Sequence, residues 1–210
     1  MKEMYNKYRK EISKKNNFLV LILGIFILGL IFGSIYITIL GKSEKTLIIN
    51  SVGNYFNEIK SVSFDNGINV FKNSLISNLL YNISMWLLGL SAIGLPVIII
   101  MVFFKSFVLS FSVSSIIAKY GFKGILGALL YIFPSPLITG IFSIILGTYS
   151  MIISVKLIRS AFTKQTINFK SFMGKYFFIL LISILVSVLC ALIDAFASPY
   201  ILKLFTNFIK

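Results

Sequence analysis

Apolar and polar positions follow one another along this chain in long blocks. The first apolar block, "FLVLILGIFILGLIFGSIYITIL" (18–40), runs 23 residues without a charge. As a helix it rises about 35 Å, enough to span a bilayer with some tilt. A secretory leader has an apolar region of only about 7–15 residues and then a small-residue cleavage site, so this block reads as a retained first span. Further blocks of spanning length lie at 74–92, 94–118, 137–157 and 176–198. Between the third and fourth, residues 125–133 are apolar but too short to cross, and Pro134 and Pro136 follow them. A proline costs about 3 kcal/mol in a helix interior, so two at i and i+2 make a break. The short piece predicts a half-helix packed against protein. The expected fold class is all-α: a polytopic integral membrane bundle of about five transmembrane helices, with a proline-broken half-helix before the fourth.

The polar blocks set the orientation. Residues 1–17 carry Lys2, Lys7, Arg9, Lys10, Lys14 and Lys15, and 158–175 are again basic. The segments 41–73, 119–136 and 199–210 are less densely basic. The positive-inside rule then places the N-terminus in the cytoplasm and, with five spans, the C-terminus outside. Within 41–73, Ile48, Val52, Tyr55, Phe56 and Ile59 recur at helical spacing. Such an amphipathic segment lies on the membrane surface, caps the bundle, or offers a docking face to an outside partner.

Composition narrows the chemistry. Of 210 residues, 58% are hydrophobic and 12% charged, with mean hydropathy +0.96. That charge content is about half of what a soluble domain carries. Histidine is absent, which removes imidazole ligands and His-based acid–base catalysis, and the one cysteine, Cys190, forms no intrachain disulfide. Six carboxylates leave little for a dicarboxylate metal site. No cofactor or metal is expected, and no enzymatic activity. The net charge of +14 gathers at the ends of apolar blocks, which fits anionic lipid headgroups as partners and not nucleic acid.

Two ionisable residues fall at membrane depth, Lys105 and Asp194. A charge at mid-bilayer costs at least about 2.5–3.5 kcal/mol on insertion scales, so each must face protein or reach an interface. Three readings of Lys105 stand: a pair with Asp194, a stem that snorkels to water or a headgroup, or a substrate-coupled group. Ser106, Ser110 and Ser114 form a small-residue stripe, and Gly29 and Gly33 a GxxxG arrangement, both of which let helices approach closely. The glycine pair also leaves a homo-oligomer open. Asn78 and Asn82 share one face of the second span with Trp86 and read as interhelical glue.

The stretch "NLLYNISMWLLGLSAIGLPVIIIMVFFKSF" (78–107) is similar to the central signature of the stage II sporulation protein M family. Asn78, Trp86, Gly89, Ser91, Gly94, Pro96, Phe103, Lys105 and Phe107 fall on it, as do Lys123, Gly124, Pro134 and the closing "DAFASPYILKL". Ser106 and Ser110 stand where the family has glycine, and Ser135 and Pro136 where it has Gln-Asn. The resemblance implies a non-enzymatic scaffold in the sporulation septum and engulfing mother-cell membrane. It would anchor two peptidoglycan-cutting partners, stage II sporulation proteins P and D. The alternative is a small permease or transporter subunit, motivated by Lys105, Asp194 and the proline break.

Overall fold

The computed structural model describes the backbone of residues 2–60, 64–132, 135–163 and 169–209, and the side chains of 16–57, 67–132, 135–160, 162 and 173–203. Pro134 and the side chain of Ile59 lie outside the described residues. The described chain is helical: α1 Lys2–Ile39, α2 Lys42–Lys60, α3 Phe64–Gly89, α4 Gly94–Tyr120, α5 Phe122–Ile132, α6 Pro136–Thr163, α7 Phe169–Leu192 and α8 Ser198–Ile209. A π-helical turn, Ile193–Ala197, joins α7 to α8 without interrupting the run.

Local chemistry sets the boundaries. Gly121 ends α4 at φ +59°, in the left-handed region open to glycine, and its amide bonds the Ile117 carbonyl at 2.8 Å. The chain reverses there, and α5 folds back along α4. Gly124 makes this possible, since a Cβ in its place would stand 2.7 Å from the Ile116 carbonyl oxygen. Pro136 opens α6 at the first helical position, where a missing N–H costs nothing. The half-helix is therefore real and runs Phe122–Ile132; at 11 residues it is about 16 Å long and too short to cross.

Five helices traverse the bundle in alternating directions. α1 and α4 run parallel, with Phe32 beside Phe103 and Tyr36 beside Phe107 and Phe111. α3 runs back between them in sequence, from Gly67 near Ala195 to Gly89 against Ser150. α6 runs parallel to α3, from Ser135 beside Asp194 to Ser154 beside Ser91. α7 returns from Tyr176, beside Trp86, to Asp194, beside Ser74. Four of the five are long and apolar enough to cross a membrane: Asn16–Ile39, Gly94–Tyr120, Pro136–Ser160 and Met173–Lys203. The helix that falls short is α3, expected as the second span. Its Asn73, Ser74, Ser77, Asn78 and Asn82 lower its hydropathy, and its inner face is lodged between α6 and α7.

The core is Ile22, Met85, Ile98, Val102, Leu146 and Met151, drawn from α1, α3, α4 and α6. A second cluster at one end joins Phe56, Ile116, Ala128 and Leu202 from α2, α4, α5 and α8. This cap corrects the docking-face expectation for 41–73. Phe56 is fully buried in the cap, Val52 packs beside it and Ile48 is half-buried, so the apolar face of α2 is covered by its own chain. Burying an apolar face is favourable in proportion to the area removed from water. Tyr55 alone of the described four is exposed. At the other end of the chain α8 buries Leu202 in the same cluster.

Candidate functional site

The polar residues of α3, α6 and α7 meet in one seam that runs the length of the bundle. At the cap end, the π-helical turn carries Asp194, whose Oδ2 accepts from Ser74 Oγ at 2.5 Å and Ser135 Oγ at 3.1 Å. A turn of this type widens the helix and re-aims its side chains, which is why such turns gather at functional positions. One turn along α3, Asn78 Nδ2 donates to Ser74 Oγ at 3.4 Å. Next, Asn82 Nδ2 donates to Ser187 Oγ at 2.8 Å and to the Ser183 carbonyl at 3.4 Å. Tyr81 shares a hydrogen bond with Ser143 at 2.5 Å on the α6 side.

At the far end, the Tyr176 hydroxyl donates to the Trp86 carbonyl at 2.7 Å and meets Ser150 at 2.9 Å. The Trp86 and Tyr176 rings stack at 5.2 Å, and Ser154 donates to the Ser91 carbonyl at 2.8 Å. Among the described residues no buried side-chain nitrogen or oxygen lacks a partner. In hydrocarbon an unmatched polar group costs several kcal/mol, so a seam this polar holds only because its bonds close on one another.

Lys105 enters the seam from α4. Its Nζ lies 5.0 Å from the centroid of the Tyr81 ring, on the face where an aromatic ring attracts a cation. It does not pair directly with Asp194. The carboxylate is held by two serines, and the two charges act on each other only across a distance. Snorkelling does not describe it either, because the stem points into the bundle and its head lines an interior cavity with Asn78, Asn82 and Thr139.

The predicted packing residues act within the chain. A Cβ on Gly29 would strike Ser106 Oγ and the Phe103 carbonyl, and one on Gly33 the Phe107 carbonyl. The GxxxG face is thus occupied by α4, not presented to a second copy. Ser106 is fully buried at that crossing, while Ser110 and Ser114 are half-buried along the same helix. Cys190 is buried beside the seam.

Sequence reasoning gave no site role to Ser135, which it named only as a departure from the family pattern, and missed Ser74, Tyr81, Tyr176 and the serines of α6 and α7. The signal was present as spacing: Ser183 and Ser187 are four apart, and Ser143, Ser150 and Ser154 fall on one face of α6. Such periodic hydroxyls inside apolar blocks mark the side of a helix that faces protein.

The sequence profile of the family described as stage II sporulation protein M matches residues 16–199, which takes in α1 from Asn16 through the start of α8. The chain belongs to the stage II sporulation protein M family. No curated protein and no solved structure matches it. The match covers the whole seam, from Ser74 to Asp194, and both glycines of the α1–α4 crossing. This member of the stage II sporulation protein M family is a multi-pass membrane protein by its four apolar helices.

Proposed function

We propose that the protein is a non-enzymatic scaffold of the sporulation septum and engulfing mother-cell membrane, anchoring septal peptidoglycan-degrading enzymes. Its partners by resemblance are stage II sporulation proteins P and D. The observation that carries the reading is the family match over residues 16–199. The closed seam supports it: its polar groups bond one another and hold helices together, which is what a rigid anchor needs. The cap of α2, α5 and α8 supplies a platform at one end of the bundle, where Leu47 and Tyr55 stay exposed on α2.

Affinity capture of the tagged protein from detergent-solubilised sporulating cells tests this function. Peptidoglycan hydrolases in the eluate are the expected result. An ATPase in their place overturns the scaffold and supports a permease subunit, the reading in which Lys105 and Asp194 serve transport.

A further inference from the structure

At the middle of the seam, Asn78, Tyr81, Asn82, Lys105, Thr139 and Ser187 surround a cavity of about one water's size. Most donors of the lining groups are already committed. Thr139 Oγ1 donates to the Pro136 carbonyl and Ser187 Oγ to the Ser183 carbonyl; Asn82 Nδ2 donates to Ser187 Oγ and the Ser183 carbonyl, and one N–H of Asn78 Nδ2 donates to Ser74 Oγ. What these bonds leave over in this lining is acceptor capacity on the amide oxygens, one N–H of Asn78 and the Lys105 ammonium. That ammonium has three N–H groups and, among the described residues, makes no direct hydrogen bond. It is not sealed off either, since no enclosed polar atom among those residues is left without a partner. It opens on the cavity.

We propose that the cavity holds one ordered water that joins the Lys105 charge to Asp194 through Asn78 and Ser74. The water accepts from the ammonium and donates to the Asn78 amide oxygen. Asn78 Nδ2 donates to Ser74 Oγ, and Ser74 Oγ donates to Asp194 Oδ2. Every link then donates in the same sense, from cation toward carboxylate, the arrangement in which each bond polarises the next. A water with two or more polar partners in a polar space is stably held. A monovalent anion would instead face the amide oxygens, which repel it. The chain carries charge coupling and not protons, because an amide does not relay a proton at neutral pH. Its effect is to bind α4 to α3 and α7 across the membrane interior without desolvating either charge against the other.

The full-length protein in detergent micelles tests this, with melting read by Trp86, the one tryptophan, which stacks on Tyr176. Lys105→Met and Asp194→Asn are compared singly and together, first in the native background and then with Asn78→Leu. The expected result is that the native-background double variant melts about 2 °C or more above the sum of the single losses. In the Asn78→Leu background the two losses should add. Additivity in the native background overturns the proposal. Coupling that survives Asn78→Leu also overturns it, since that means direct attraction through space. A melting point that follows chloride concentration, with gluconate keeping ionic strength constant, overturns it in favour of an anion. Where Asp194→Asn alone does not accumulate, Asn78→Asp with Asp194→Asn should restore accumulation, because the moved carboxylate meets the lysine directly. Failure of that rescue sinks the water-linked chain.

Discussion

Gly33 shows how much a single hydrogen atom decides in this fold. A methyl group there would run into the Phe107 carbonyl of α4, and backbone cannot step aside as a flexible side chain can. Gly24, about two and a half turns earlier on the same helix, has nothing within 4 Å of the same position. The two glycines therefore separate packing from helix propensity. Gly33→Ala should destabilise the protein by about 1–3 kcal/mol, the cost of overpacking, less a gain of somewhat under 1 kcal/mol from the better helix former. Gly24→Ala should be neutral or slightly stabilising. Thermal melting in one detergent checks both, and equal melting points for the two variants would mean that α1 does not approach α4 this closely. The same close approach explains why Ser106 stands where a larger residue could not: its hydroxyl bonds its own helix at Val102 and Phe103, so it fills the crossing without leaving an orphaned donor.

At the scale of elements, the apolar blocks announce α1, α4, α6 and α7, because a run of about twenty apolar residues has few other physical meanings. The proline break likewise announces a short helix, and Pro136 opens α6. Three features were not legible from periodicity. The amphipathic face of α2 has the same spacing whether it meets lipid, a partner or its own chain, and only the packing of α4, α5 and α8 around it covers Phe56. The π-helical turn leaves no mark in composition, yet it sets where Asp194 points. The pairing of Lys105 with Asp194 was a reasonable expectation from opposite charge, but serines from α3 and the start of α6 reach the carboxylate first. The cap is the element most open to test. Phe56→Ala removes the largest buried side chain of that cluster and should cost about 3–5 kcal/mol locally. Amide exchange along 42–57 should quicken strongly, while the Trp86–Tyr176 region, at the other end of the bundle, keeps its protection. Uniform loss of protection would instead show that cap and bundle unfold as one unit.

At the scale of the whole molecule, the traverse of α3 governs the topology. By length and hydropathy four of the described helices qualify as spans, an even number that would leave both termini on one side. The packing gives five passes, because α1 and α4 run parallel and α3 must return the chain between them. A helix with Asn78 and Asn82 in it can make that pass only beside neighbours that satisfy them, and Ser183 and Ser187 do so for Asn82. The start of α1, the end of α6 and the start of α7 then share one end, and the cap of α2, α5 and α8 lies at the other. The positive-inside rule predicts that the first end is cytoplasmic and that the cap faces outward. Single cysteines in a Cys190→Ala background decide it, using a membrane-impermeant maleimide on intact cells. Cys190 is fully buried, so alanine there leaves a quiet background. Asn54→Cys, exposed on α2, should label at once, and Asn16→Cys only after permeabilisation. Ile93→Cys, exposed in the turn that follows α3, is the position that discriminates. It too should label only after permeabilisation, since α3 carries the chain from the cap to the cytoplasmic end. Labelling of positions 54 and 93 from the same side would remove α3 from the spans and with it the five-pass fold. Labelling of 54 only after permeabilisation, with 16 and 93 open in intact cells, would keep the five passes and invert the protein, turning the cap toward the cytoplasm and away from the wall that its proposed partners cut.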